Sequence, residues 1–224
     1  MLNKKAIAAM LLSGGLILSG CGLSNTAKGA GIGAGAGAII GAGVGRVAGN
    51  TALGAIIGGV VGGTAGTLIG KKMDKQKKEL ERDVKDAKIE SVNDGQAIRV
   101  TFDSGILFAT GSATLSSTSQ ATLRKFAANL SEHSDTDLMI IGHTDNTGTD
   151  RVNNPLSYNR AASVRSFLAG QGVSSSRMKV EGKGSYEPVA DNSTAAGRRE
   201  NRRVEVYILP SKAMVKAAQD GTLR

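Results

Sequence analysis

The pattern of apolar and polar positions divides the chain into regions of different character. Residues 29–70 are dominated by Gly, Ala, Ile and Val, with glycine at regular intervals. Residues 71–90 are rich in charges of both signs and contain neither Gly nor Pro. From residue 91 to about residue 210, apolar positions recur at the spacings of strands and helices, which indicates a mixed α/β domain.

Strands are predicted where apolar residues alternate with polar ones or form short runs. Alternation in residues 98–102 predicts a half-buried strand, and the apolar run of residues 138–141 predicts an interior strand. Residues 106–108 form a second short apolar stretch, and further strands are predicted at residues 178–181 and 203–209.

Two main helices lie between these strands. Ser117 followed by Gln120 has the form of a capping box, and the apolar face of that helix ends near Leu130. Asn154 before Pro155 suits the start of a second helix, which continues to Gly170. The pattern therefore predicts a small α/β sandwich, a βαβαβ-type mixed sheet with two main helices, over residues 91–210.

Glycine recurs at every fourth position in the apolar region, as a glycine zipper. The positions are Gly29, Gly33, Gly37, Gly41, Gly45 and Gly49, then Gly54, Gly58, Gly62, Gly66 and Gly70. This spacing places each set on one helix face, where another backbone can approach closely. We predict a membrane-embedded helical hairpin over residues 29–70; a flexible glycine-rich spacer and a homo-oligomer formed through the glycine faces are the alternatives.

The charged region and the C-terminal tail are given simpler interpretations. Residues 71–90 carry the helix-supporting pair Glu81 and Lys85 at i, i+4, and we predict an exposed, charged helical stalk that provides distance. The basic tail, residues 211–224, is weakly helical, and no role is assigned to it.

The N-terminus has the three parts of an export signal. Lys4 and Lys5 precede a short apolar run, and small residues stand directly before Cys21. The sequence Leu-Ser-Gly-Cys that ends at Cys21 resembles a bacterial lipobox. That resemblance implies cleavage after residue 20, lipid attachment at Cys21, and a short linker over residues 21–28. Gly at position 22, by resemblance to known sorting rules, favours the outer membrane.

Charge and composition narrow the function classes. The net charge is +9, but the chain has only seven aromatic residues and no dense basic block in the α/β region. Nucleic acid is therefore an unsuitable partner, and glycine-rich phosphate loops with complete motifs are absent from the sequence.

Spaced polar motifs in the α/β region carry the strongest functional signal. Gly-His-Thr-Asp-Asn-Thr-Gly occupies residues 142–148, Asn-Asn-Pro-Leu-Ser-Tyr-Asn-Arg-Ala occupies 153–161, and Asn-Arg-Arg-Val-Glu occupies 201–205. This array resembles the OmpA-like peptidoglycan-binding domain over roughly residues 97–208. The lipobox and glycine zipper match lipoproteins of the same family.

The resemblance implies a ligand and the residues that hold it. The ligand pair of the family falls on Asp145 and Arg160, which contact the zwitterionic centre of diaminopimelate in wall peptides. A carboxylate accepts hydrogen bonds from an ammonium group, while a guanidinium grips a carboxylate in a planar contact. The resemblance implies that Asn153 orients the ligand and the loop. Weaker candidates are Thr144 and Asn146, which flank the aspartate, and the backbone of Thr110 and Gly111.

Four further residues bear on the expected site. Ala109 stands where the family often has aspartate, so any side-chain contact from that position is lost. Arg202 and Arg203 lie near the site by resemblance, but strand packing or surface charge explains them equally well. His143 and Asp145 lack a third metal ligand nearby in sequence, so we predict no metal or other cofactor.

The expected function is a non-catalytic tether: peptidoglycan binding in the periplasm by a lipid-anchored outer-membrane protein that supports envelope integrity. Serine and histidine residues show no nucleophile motif, which argues against a wall hydrolase. An oligomeric membrane scaffold or pore built through residues 29–70 is the alternative.

Overall fold

Six α-helices, one short 3-10 helix (Ser175–Arg177) and five strands lie within residues 61–224, the part of the chain that the computed structural model describes. The helices are α1 (Gly63–Asp83), α2 (Ser104–Leu107), α3 (Ser117–Glu132), α4 (Asp150–Gly170), α5 (Ala195–Asn201) and α6 (Lys212–Gln219). The strands are β1 (Lys88–Val92), β2 (Ala97–Asp103), β3 (Thr136–Gly142), β4 (Met178–Gly182) and β5 (Arg203–Pro210). The predicted signal peptide, Cys21 and residues 29–60 of the glycine zipper lie outside the described residues.

The strands form one mixed sheet in the order β1-β2-β5-β3-β4. Strands β3 and β4 are parallel, and every other neighbouring pair is antiparallel. A parallel pair needs a long crossover, and α4 provides it between β3 and β4. The prediction of a mixed α/β sheet with two main helices is confirmed.

Alternation along β5 explains how the sheet separates its two faces. Val204, Val206 and Ile208 pack into the large core with the helices, whereas Tyr207 belongs to a smaller cluster with Ile141. Side chains of a strand point alternately to opposite faces, so the same strand serves both clusters. β5 is thus the central element around which the site strands are arranged.

Both main helices begin earlier than the sequence motifs suggested. The N-cap of α3 is Ser116, whose side chain accepts a hydrogen bond from the Ser119 amide, rather than Ser117. Helix α4 begins after Thr149, so Pro155 lies inside the helix instead of at its first position. Pro155 is the sixth residue of the helix, past the four amides that have no helical partner, so the carbonyl of Arg151 loses its i+4 donor, at a position that is exposed.

The prediction that residues 71–90 form an exposed helical stalk is wrong. Helix α1 ends at Asp83, residues 88–90 belong to β1, and the helix packs against the sheet domain. Its buried residues follow spacings of three and four: Gly66, Ile69, Met73, Gln76 and Leu80. This stripe is what a helix presents to a core, and the abundant charges of the other faces concealed it.

Polar contacts also attach α1 to the end of α3. Gln76 Nε2 donates to Asn129 Oδ1 at 3.0 Å, and Glu79 Oε2 lies 2.5 Å from His133 Nε2. Lys72 forms a salt bridge of 2.6 Å with Asp135. The residues predicted to provide distance are therefore part of the folded domain.

The predicted boundary at residue 70 does not interrupt the structure, because α1 runs through it. Gly66 lies so close to the chain before the helix that an added Cβ would be 1.9 Å from the Val61 carbonyl oxygen. The Gln96 side chain pairs with both the amide and the carbonyl of Val61 at 2.8 Å. Gly66 of the zipper thus packs against the chain at Val61 and Gln96. Between residues 61 and 224, no helix combines the length and apolar composition needed to cross a membrane.

The C-terminal tail, which was assigned nothing, also belongs to the core. Helix α6 is capped by Ser211, whose side chain accepts from the Met214 amide. Met214 and Ala218 are buried in the large cluster, and α6 packs beside α1. Both ends of the described chain therefore close the same side of the domain.

Candidate functional site

The loop after β3 is set in place by close backbone packing. Gly142 ends the strand, and a Cβ there would lie 2.0 Å from the Ser157 carbonyl oxygen of α4. The amide of Thr144 donates to the Gly184 carbonyl at 2.8 Å, which joins this loop to the loop after β4. Only glycine permits this approach, and the result is a fixed path of the chain into Asp145.

Asp145 is a buried carboxylate with two protein partners. Its Oδ1 accepts a hydrogen bond of 2.9 Å from the Thr147 amide, and its Oδ2 pairs with Arg202 Nη1 at 2.5 Å. Burial pulls the pKa of Asp145 upward, but the Arg202 contact and the Thr147 hydrogen bonds outweigh it, so the pKa lies below its ordinary value. The group is therefore an anion at neutral pH.

Asn153 fixes the loop that carries this carboxylate. From the first turns of α4, its Nδ2 donates to the Thr147 carbonyl at 3.1 Å and to the Asp145 carbonyl at 3.4 Å. The side chain is 5 % exposed. Its contacts go to backbone oxygens of the loop, so its role in the structure is to position Asp145.

Arg160, two turns after Asn153 on the same face of α4, is the second charged group. It is 3 % exposed, its Nε donates to the Ser112 carbonyl at 3.0 Å, and its guanidinium lies over the Phe108 ring at 5.4 Å from the centroid. Burial, then the charge of Arg202, lowers its pKa, while Asp145 raises it. Within residues 61–224 only Nε donates a hydrogen bond, so both Nη groups are available to an anion.

Together these side chains make a pair of opposite charges in a protected setting. A carboxylate oriented by its loop and a guanidinium oriented by Ser112 and Phe108 suit the ammonium and carboxylate of one amino-acid centre. Neither group has a proton to exchange near neutral pH, so the arrangement suits binding rather than acid–base chemistry.

The weaker candidates are placed around this pair with different exposure. Thr144 is 5 % exposed, and its Oγ1 has no hydrogen-bond partner among the described residues. Asn146 is exposed on the same loop, and its amide donates to Asn192. Thr110 and Gly111 are exposed in the loop that continues to Ser112, with Gly111 at a φ of +69°.

Comparison with known proteins matches two parts of the chain. The OmpA family model matches residues 107–202, and the YMGG-like Gly-zipper model matches residues 1–74. The cell wall anchor of the T6SS from Pseudomonas aeruginosa is 32% identical in a solved structure, with a TM-score of 0.54, covering 60% of this chain and 96% of that one. Residues 107–202 therefore form an OmpA family domain.

Two curated relatives extend the comparison. Probable lipoprotein YiaD of Escherichia coli K12 is 38% identical over 62% of this chain and 63% of its own length. The peptidoglycan-binding protein ArfA of Mycobacterium tuberculosis is 37% identical over 50% of this chain and 34% of its own. This chain therefore spans less than two thirds of either relative.

The structure separates the two arginines that the OmpA family motif at residues 201–205 left undecided. Arg203 Nε donates to Glu205 Oε1 at 2.7 Å, and the Tyr207 hydroxyl donates to Glu205 Oε2 at 2.6 Å. His143 lies beside them, 1 % exposed, with its Nε2 3.9 Å from Glu205 Oε2. Arg203 therefore belongs to a buried structural network, whereas its neighbour Arg202 reaches Asp145.

Some contacts of this OmpA family site escaped sequence reasoning. Arg160 is supported by Phe108 and by Ser112, and Ser112 lies 48 residues before it in the chain. Arg202 lies 57 residues after Asp145, so local spacing gives no sign of their pairing. The signal in the sequence was that Arg202 belongs to the Asn-Arg-Arg-Val-Glu motif of the family.

A possible set of metal ligands was also missed. Ligand atoms of Glu79, Glu132 and His133 lie within 4.8 Å of one another at the junction of α1 and α3. The sequence prediction considered His143 with Asp145 instead, because Glu79 was assigned to a separate stalk. The contact of Glu79 with His133 attaches α1 to the domain, and we assign it that structural role.

Proposed function

We propose that this protein binds peptidoglycan without catalysis, and that Asp145 and Arg160 hold the zwitterionic centre of diaminopimelate in the wall peptide. Two observations carry the proposal: the buried Asp145 carboxylate is close enough to Arg160 for its charge to raise the pKa of the guanidinium, and both Nη groups of Arg160 are available. Relatives named as a peptidoglycan-binding protein and as a cell wall anchor support the same ligand class. Asn153 orients the loop, and Thr144, Asn146, Thr110 and Gly111 line its surroundings.

Binding to purified sacculi tests the site. We expect the wild-type chain to co-sediment with sacculi, and Asp145→Ala or Arg160→Ala to reduce binding at least tenfold, because each removes a charge-assisted contact of about 1.5–3 kcal/mol. Arg124→Ala, at an exposed arginine on α3, is the matched control and should sediment as wild type. Normal sedimentation of both site variants, with unchanged circular dichroism, contradicts the site assignment.

We further propose that Cys21 carries lipid and that the protein tethers the outer membrane to the wall. The export signal and the lipobox-like sequence support this, as does similarity to the probable lipoprotein YiaD. Labelling with a radioactive fatty acid should mark the wild type but not Cys21→Ser. Label retained by the serine variant contradicts the anchor. An oligomeric scaffold through residues 29–70 stays a prediction about residues mostly outside the described part.

A further inference from the structure

The binding site holds more positive than negative charge. Arg202 bonds to the single carboxylate of Asp145, and Arg160 lies close enough for the charges of both residues to shift its pKa. When the ammonium of a ligand binds Asp145 and its carboxylate binds Arg160, the ammonium competes with Arg202 for the Asp145 carboxylate. A zwitterion alone therefore leaves one positive charge uncompensated.

The two arginines differ in how firmly they are held. Arg160 is buried, hydrogen-bonded to Ser112 and packed over Phe108. The Arg202 side chain is 38% exposed, and among the described residues its guanidinium bonds only to Asp145. The Asp145 pair is therefore the one hydrogen-bonded contact that the Arg202 side chain must exchange for a ligand carboxylate when it changes rotamer.

The backbone beneath Arg202 is nevertheless fixed, so its side chain pivots from a set point. Its amide donates to the Arg198 carbonyl at 3.1 Å, and its carbonyl accepts from the Ser104 amide at 2.9 Å. These bonds hold the residue between α5 and β5. Its reach stays centred on the site in either rotamer.

We propose that Arg202 is an exchangeable counter-ion: it neutralises Asp145 in the empty site and, on binding, transfers to a second carboxylate of the ligand. This inference rests on the proposed function. Diaminopimelate supplies such a group when the wall peptide ends at that residue, because the carboxylate at its peptide-linked end is then free. Extension of the peptide turns this carboxylate into an amide and removes the charge. The site accordingly prefers stem peptides that end at diaminopimelate.

A matched pair of small ligands isolates this charge. The first is diaminopimelate acetylated on one amino group, and the second is the same molecule with the carboxylate of the acetylated end amidated. Calorimetry with the full-length chain in detergent should show about tenfold tighter binding of the first, the size of one charge-assisted hydrogen bond. Arg202→Gln should bring the ratio of the two dissociation constants to about one, whereas Arg202→Lys should keep most of it.

The control and the contradicting results are distinct. Arg199→Gln removes an exposed neighbouring arginine that pairs with Asp103, and it should leave the ratio unchanged. Equal binding of both ligands by the wild type, or a preference that survives in Arg202→Gln, overturns the role of Arg202 alone. Failure of the wild type to bind either ligand overturns the proposed function and this inference with it.

Discussion

Acid should unfold this domain through His143, and replacing that histidine with leucine should remove most of the effect between pH 7 and pH 4. The side chain is 1 % exposed, and neither ring nitrogen has a hydrogen-bond partner among the described residues. Burial, followed by the charge of Arg203, lowers its pKa from 6.5 to about 3, against the opposing effect of Glu205. The imidazole is therefore neutral in the folded domain.

The size and sign of the loss of stability in acid follow from the difference between the ordinary pKa of histidine, 6.5, and that of His143 in the folded domain, about 3. Between about pH 6.5 and 3 the unfolded chain takes up a proton at His143 that the folded domain refuses, so acid favours unfolding. The contribution of His143 to the free energy of unfolding is fully present above pH 6.5 and falls by about 1.4 kcal/mol for each pH unit below it. At pH 4 the loss is about 3 kcal/mol, a large share of a typical domain's stability.

Urea unfolding followed by circular dichroism at pH 7, 5 and 4 measures this loss. The free energy of unfolding of His143→Leu should fall by about 3 kcal/mol less than that of the wild type, because carboxylates titrate in both chains and cancel in the comparison. At pH 7 the leucine costs little, since no hydrogen bond is removed. His133→Gln, at the other histidine, should leave the His143 contribution in place. Parallel stability curves for wild type and His143→Leu would refute the reasoning.

Two further predictions concern packing. Leu80→Ala should lower the free energy of unfolding by about 2–5 kcal/mol in urea titrations, because Leu80 is fully buried between α1 and the domain; an effect below about 0.5 kcal/mol, typical of exposed positions, would restore the stalk interpretation. Gly142→Ala should lower the melting temperature sharply in calorimetry, because its Cβ would lie 2.0 Å from the Ser157 carbonyl oxygen, whereas Gly170→Ala, with open space around it, should have little effect.

The sequence was most informative where the signal is local. Alternation in β2 and the apolar run in β3 depend on neighbouring residues, and both strands were predicted close to their observed positions. The edge strand β1 was missed because its sequence, Lys-Ile-Glu-Ser-Val, carries charges at positions that face solvent. Helix α1 was misassigned for a similar reason: five buried positions are diluted among many lysines and glutamates.

The sequence allowed the motif residues of the site to be predicted, but not the contacts that these residues make with distant parts of the chain. Asp145 and Arg160 were named from a family pattern; in the structure the charge of Asp145 raises the pKa of Arg160, and Asn153 holds the loop. The supporting contacts of Arg160 with Ser112 and of Asp145 with Arg202 join residues 48 and 57 positions apart. Such contacts depend on strand order, which local spacing does not encode.

The attachment of α1 to the domain determines how the proposed tether carries mechanical load. Tension from the membrane side enters the described chain at Val61, which the Gln96 side chain holds through two hydrogen bonds of 2.8 Å. After these bonds break, the buried face of α1 must separate from the domain before the helix can be stretched. Helix α1 is about 30 Å long at 1.5 Å per residue, and stretching it to the residue spacing of a strand would roughly double that length. Envelope strain would thus meet a stiff connection first and a longer, compliant one only after α1 has detached.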